Sequence, residues 1–258
     1  MINIELNKSF SKFRKENSKE LQSILTVNNS NRNLNIENIE FFYFLHKLSV
    51  SSEFRDKWFN ISHFNNIKDN STIQQSSLLK IIITILEDEN LNHFNNRGNK
   101  GQVWYLFANA VASYSSHNPY YMISEKSIKI LNNFQINFKK PISRSKIFNV
   151  RDNGKKLLTF EHMCPSTYLI KKMIEYRVKF FENNNQKTFK EEIKTILESY
   201  GLVSIITKEE DDMINKNNLR TNLYEITNSG LINMYYRYKI SNIKLSETLV
   251  PVYGKMYR

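Results

Sequence analysis

The dipeptide Asn153-Gly154 constrains this chain more than any other two residues in it. Both residues tolerate positive φ, so the pair favours the tight two-residue turn that joins antiparallel strands. Apolar residues flank it at 145–150 and 156–162, which predicts a β-hairpin. Pro165 stops the second strand, and Ser166 or Thr167 can cap the helix that follows. That helix places Leu169, Ile170, Met173, Ile174, Val178 and Phe181 on one face, against Lys171, Lys172, Glu175 and Lys179 on the other.

Upstream of the hairpin the periodicity is helical. Residues 36–50 carry Ile36, Ile39, Phe42, Tyr43 and Leu48 at helical spacing, 77–87 form a second and more buried helix, and 101–115 form a third. Ser124 can cap a fourth running to Leu131 or beyond. The Asn-rich stretches 28–35 and 60–71 read as loops. Downstream, Thr188-Phe189-Lys190-Glu191 and Thr207-Lys208-Glu209-Glu210 are capping boxes, Gly201 closes the first of those helices, and 202–206 is a short β-branched strand. The expected fold is therefore α+β: a mainly helical N-terminal layer over 1–135, then a hairpin–helix unit and a strand–helix segment over 136–258.

With 258 residues, 40% of them hydrophobic, the chain can bury a real core. One cysteine, Cys164, excludes an internal disulfide framework and a four-cysteine zinc site. The N-terminus lacks the apolar core of a signal peptide, and the most apolar run, 78–86, is too short to span a bilayer. A soluble, cytoplasmic protein with no membrane partner is predicted. The net charge of +12 points to a polyanionic partner. Abundant Lys, Asn and Ile with only 6 Gly and 4 Pro is also the usage that AT-rich codons give, so part of this charge has a mutational origin. Its placement is more telling. Lys139, Lys140, Arg144, Lys146, Arg151, Lys155 and Lys156 stand against one acid, Asp152, and can track a phosphate backbone without reading sequence.

The predicted strand ends in Glu161-His162-Met163-Cys164-Pro165. A histidine at a strand end can deprotonate water, and a carboxylate beside it can hold a divalent metal against a phosphodiester. Strand neighbours point to opposite faces, so both serve one site only if the strand breaks at this pair. The segment resembles the first motif of the HNH, or His-Me finger, nucleases: an acidic residue, the catalytic His, two residues and Pro. The resemblance implies His162 as general base and Glu161 as a metal ligand or its support. The strand 202–206 running into 207–211 is similar to the later segment of such proteins, where a further His or Asn completes the metal site. This chain departs there and offers Glu210, Asp211 and Asn215, with no histidine after His162.

The leading expectation is thus an enzyme, a metal-dependent endonuclease acting on DNA in restriction or defence against mobile elements. Its catalytic residues would be His162 and Glu161, its metal ligands Glu161, Glu210 and Asp211, and its ion Mg²⁺ or Mn²⁺. DNA is favoured over RNA, and a double-strand cut favours a homodimer. Two alternatives stand beside it. One is a non-catalytic basic nucleic-acid-binding protein, with His162 bonded to backbone and Glu161 paired to Lys155 or Lys156. The other is an inhibitor that binds an acidic, DNA-like partner surface. Tyr235, Tyr236, Arg237, Tyr238, Tyr253 and Tyr257 are further candidates, for stacking on unpaired bases. His46 reads as packed, and His63, His93 and His117 lack the paired spacing of a zinc site.

Overall fold

Tyr120–Ile123, four apolar residues between Pro119 and Ser124, are buried without exception, the pattern of a strand covered on both faces. This strand, β1, is the centre of the molecule. The computed structural model describes residues 2–22, 36–58, 65–88, 102–182, 186–219 and 230–254, and the fold is α+β and mostly helical. The helices are α1 (Ile2–Glu16), α2 (Ile36–Val50), α3 (Ser52–Trp58), α4 (Asn65–Glu87), α5 (Gln102–Ser116), α6 (Glu125–Asn133), α7 (Arg144–Phe148), α8 (Ser166–Glu182), α9 (Gln186–Tyr200), α10 (Lys208–Lys216) and α11 (Gly230–Ile240). The other strands are β2 (Ile142–Ser143), β3 (Arg151–Asp152), β4 (Lys155–Lys156), β5 (Leu158–His162), β6 (Val203–Thr207) and β7 (Val250–Tyr253).

Five strands form one sheet in the order β2-β7-β1-β6-β5. β1 runs parallel to β6 and antiparallel to β7, β2 is parallel to β7, and β5 is antiparallel to β6. Alternation along the strands divides the core in two. Tyr120, Met122, Leu202 and Ile206 face a large helical layer that includes α2, α5, α8 and α9. Tyr121, Ile123, Val203, Ile205, Val250 and Val252 face a thinner second layer, built from α6, the 136–142 segment and α7. β1 comes from the first 135 residues and its partners from the rest, so the sheet draws on both sequence regions.

Several local signals act as read. Ser124 caps α6 by accepting from the Ser127 N–H, and Thr207 with Glu210 closes a full capping box on α10. Asn153 and Gly154 take φ of +47° and +76° at the hairpin turn. Others differ. The expected strand 145–150 is the helix α7, because Ser143 caps it on the Lys146 N–H and one turn suffices to bury Ile147. The hairpin is accordingly short, β3 with β4, and is separate from the main sheet. Leu157 makes the bend into β5, donating to the Val150 carbonyl and accepting from the Lys208 N–H. α9 begins two residues before Thr188, which therefore lies inside the helix rather than at its cap. α4 starts at Asn65, so most of the expected 60–71 loop is helix. The expected loop at 28–35, with His63, His93 and Tyr257, lies outside the described residues.

Candidate nucleic-acid interface

β5 pairs with β6 in regular register through its last residue, with Glu161 opposite Ser204 and His162 opposite Val203. The strand does not break at the acid–histidine pair, and the two side chains leave on opposite faces. Glu161 is on the helical side, where Ser204 meets the Tyr238 hydroxyl at 2.6 Å and Arg237 Nη2 donates to Glu161 Oε1 at 2.7 Å. Arg237 is fully buried, and its Nη1 also donates to the carbonyls of His162 (3.0 Å) and Met163 (2.9 Å). Glu161 is therefore paired to Arg237, and Lys155 or Lys156 does not take that place. His162 is half-buried on the other face, two residues from Phe160, which stacks on Phe148 of α7 and meets Tyr121 edge-on.

The remaining carboxylates proposed for a metal lie at the far end of the strand pair. Thr207 is opposite Leu158, four residues and about 13 Å of strand from His162. Just beyond it, buried Glu210 accepts from the Thr207 N–H at 2.8 Å and the Ser124 hydroxyl at 2.6 Å, while Asp211 pairs with Lys208. The described residues hold no group of three or more His, Cys, Asp or Glu able to bind a metal. Glu161, Glu210 and Asp211 do not converge, so this donor set does not fit a metal centre. A capping role for Glu210 makes its own prediction. Glu210→Ala orphans the Thr207 N–H and removes one of two acceptors of the Ser124 hydroxyl, and should cost about 1–2 kcal/mol in a urea melt, whereas Asp211→Ala should cost under about 1 kcal/mol.

The basic stretch has a coherent layout. Residues 139–156 start at β2, on one edge of the sheet, cross its second face through α7, and reach β5 on the other edge. Four strand spacings make this a band about 19 Å wide. Lys139, Lys140, Lys146, Arg151 and Lys155 are exposed along it. Lys156 is half-buried with its Nζ 3.2 Å over the Phe148 ring, and burial with Lys208 and Arg151 nearby lowers its pKa. Arg144 leaves the set: it is 3% exposed and donates to the Tyr121 hydroxyl, the Asn118 carbonyl and the Gly254 carbonyl, tying the end of β7 to the start of β1. Lys126 and Lys129 of α6 join the same layer and are exposed. Their i, i+3 spacing opposite Ile128 and Leu131 is the sequence signal that could have added them.

Tyr253 is exposed at the end of β7, and the other described candidates are structural. Tyr238 and Arg237 are core residues, and Tyr235 and Tyr236 are half-buried. Cys164 is buried, which pushes its thiol pKa upward and removes it as a nucleophile. His46 is buried against the Glu198 carbonyl, and desolvation lowers its pKa to about 3, so it is a neutral core residue. His117 is half-buried with Nδ1 2.6 Å from the Ser113 carbonyl. No helix among the described residues is long and apolar enough to cross a membrane. No known protein family, curated protein or solved structure matches the chain.

Proposed function

We propose that this chain binds nucleic acid, DNA in the first instance, through the layer that covers the second face of its sheet. The observation that carries the reading is the band of exposed cations running edge to edge across that face, ending at the strand whose last residue is His162. Such contacts to phosphates position a ligand without selecting a sequence. The bound strand would run over α7 and pass the His162 imidazole.

A second reading, endonuclease action in restriction or defence, is favoured by one specific observation. The two segments that resemble HNH nucleases are 41 positions apart in sequence (β5 ends at His162, β6 starts at Val203) yet pair directly as antiparallel strands, with α10 following. In that reading His162 takes the proton from water. Supercoiled plasmid and single-stranded RNA, incubated with Mg²⁺, Mn²⁺ or EDTA, separate the two. The binding reading expects mobility shifts with intact substrate from both wild type and His162→Ala. Metal-dependent cutting that falls by roughly 10²-fold or more in His162→Ala would establish the nuclease instead.

A further inference from the structure

We infer that a cavity at the far end of the sheet from His162 is a binding site for an aliphatic polyamine, separate from the basic face. β1 runs parallel to β6, whose first residue, Val203, pairs with His162, so the end of β1 at Ile123 lies away from the histidine. Residues 244–248 cross that end. The Ser246 N–H donates to the Ile123 carbonyl, the Glu125 N–H donates to the Lys244 carbonyl, and Ser124 pairs with Leu245. Between this segment, α1 and α2 lies a cavity of about 410 Å³, a size typical of small-molecule sites. Leu6 of α1 and Phe41 of α2 line it from the helical-side core, and Leu245 packs on that core beside them.

The chain bends at Glu247, so Ser246, Glu247 and Thr248 all line the cavity instead of alternating across it. Thr248 is 8% exposed, and its hydroxyl meets no partner among the described residues. The same holds for the Ser246 hydroxyl and the Glu247 carboxylate. A hydroxyl buried to that depth is completed by water or by a ligand. The charges fix the sign of that ligand. Glu125 and Lys244 neutralise each other at 2.8 Å, which leaves Glu247 and a net charge of −1 among the lining residues of a chain at +12. The start of α6 does not invite an anion, because the Glu125 N–H is spent on Lys244 and the Ser127 N–H on Ser124. A primary ammonium matches what remains, since its three N–H groups suit one carboxylate and two hydroxyls. Its methylene chain suits Leu6, Phe41 and Leu245, and a second amine along that chain meets Glu125 in place of Lys244.

The test is isothermal titration calorimetry of the full chain with spermidine, and with butanediol as the uncharged control, at about 150 mM KCl. A polyamine is repelled by the rest of this basic chain, so saturable binding reports a specific site. Wild type should bind spermidine at one site and ignore the diol. Glu247→Gln and Thr248→Val should each weaken binding by about tenfold. Lys244→Gln should tighten it by about threefold, because it frees Glu125 and removes a competing ammonium. Glu247 and Lys244 are exposed, so their variants leave the fold intact, and a thermal melt checks Thr248→Val. No saturable heat up to about 5 mM spermidine would overturn the inference. So would binding that these substitutions leave unchanged, or binding that Lys244→Gln abolishes.

Discussion

Replacing Arg237 with alanine is expected to destabilise the protein by about 3–5 kcal/mol, the largest effect of any single exposed or polar position considered. The guanidinium is fully buried and reaches three acceptors on one short segment: the Glu161 carboxylate and the carbonyls of His162 and Met163. Alanine leaves a partly buried carboxylate and two carbonyls without their donor, and opens a cavity beside Tyr238. For a chain of this size the melting temperature should fall by about 10 °C. Arg237→Lys should recover only part of the loss, because an ammonium cannot present the planar fork that spans the three oxygens. A urea melt showing under about 1 kcal/mol would mean that the pair does not form and that Glu161 is available for other work. Arg237 fixes the end of β5 that carries His162, holding the Glu161 carboxylate and the carbonyls of His162 and Met163 at once.

The second large effect concerns charge. Exchanging Lys139, Lys140, Lys146, Arg151 and Lys155 for glutamine should weaken nucleic-acid binding about 10³-fold at 100 mM salt, and flatten the log–log salt slope by about 3–5, because five fewer counterions are released. The fold should tolerate the change, since all five side chains are exposed. Removing the Arg151 charge even relieves a like-charge contact, because Arg151 stands directly opposite Lys156 in the hairpin. The neighbouring rung, Asp152 opposite Lys155, carries opposite charges. An isotherm that stays within about threefold of wild type would place the ligand on another surface.

How far the sequence foretold this arrangement depends on whether a feature is local. The Ser124 cap, the Thr207–Glu210 box, the Asn153-Gly154 turn and the helix Ile36–Val50 are set by contacts within one turn, and all form as the residues indicate. β1 is only four residues with no polar alternation, which periodicity cannot separate from the end of a helix. The extension of α4 back to Asn65 runs through polar residues that carry no periodic signal. The Asn153-Gly154 turn suggests a strand at 145–150, but Ser143 supplies a cap that tips those residues into a helical turn. The site was less legible still. Glu161 and Arg237 are 76 residues apart, and the pairing follows only from α11 packing across the sheet. The split of Glu161 from His162 was foreseeable as an alternative, because it follows from strand geometry once the strand continues through the pair. The capping box at Thr207 likewise signalled a structural use for Glu210.

The measurement that tests the central claim most directly is the salt dependence of wild-type binding to a labelled oligonucleotide between 50 and 300 mM KCl. The account predicts saturable binding whose log–log slope is about −3 to −5, the mark of several cations of the 139–156 band on phosphates. No binding at 50 mM, or binding whose strength does not change with salt, would contradict it.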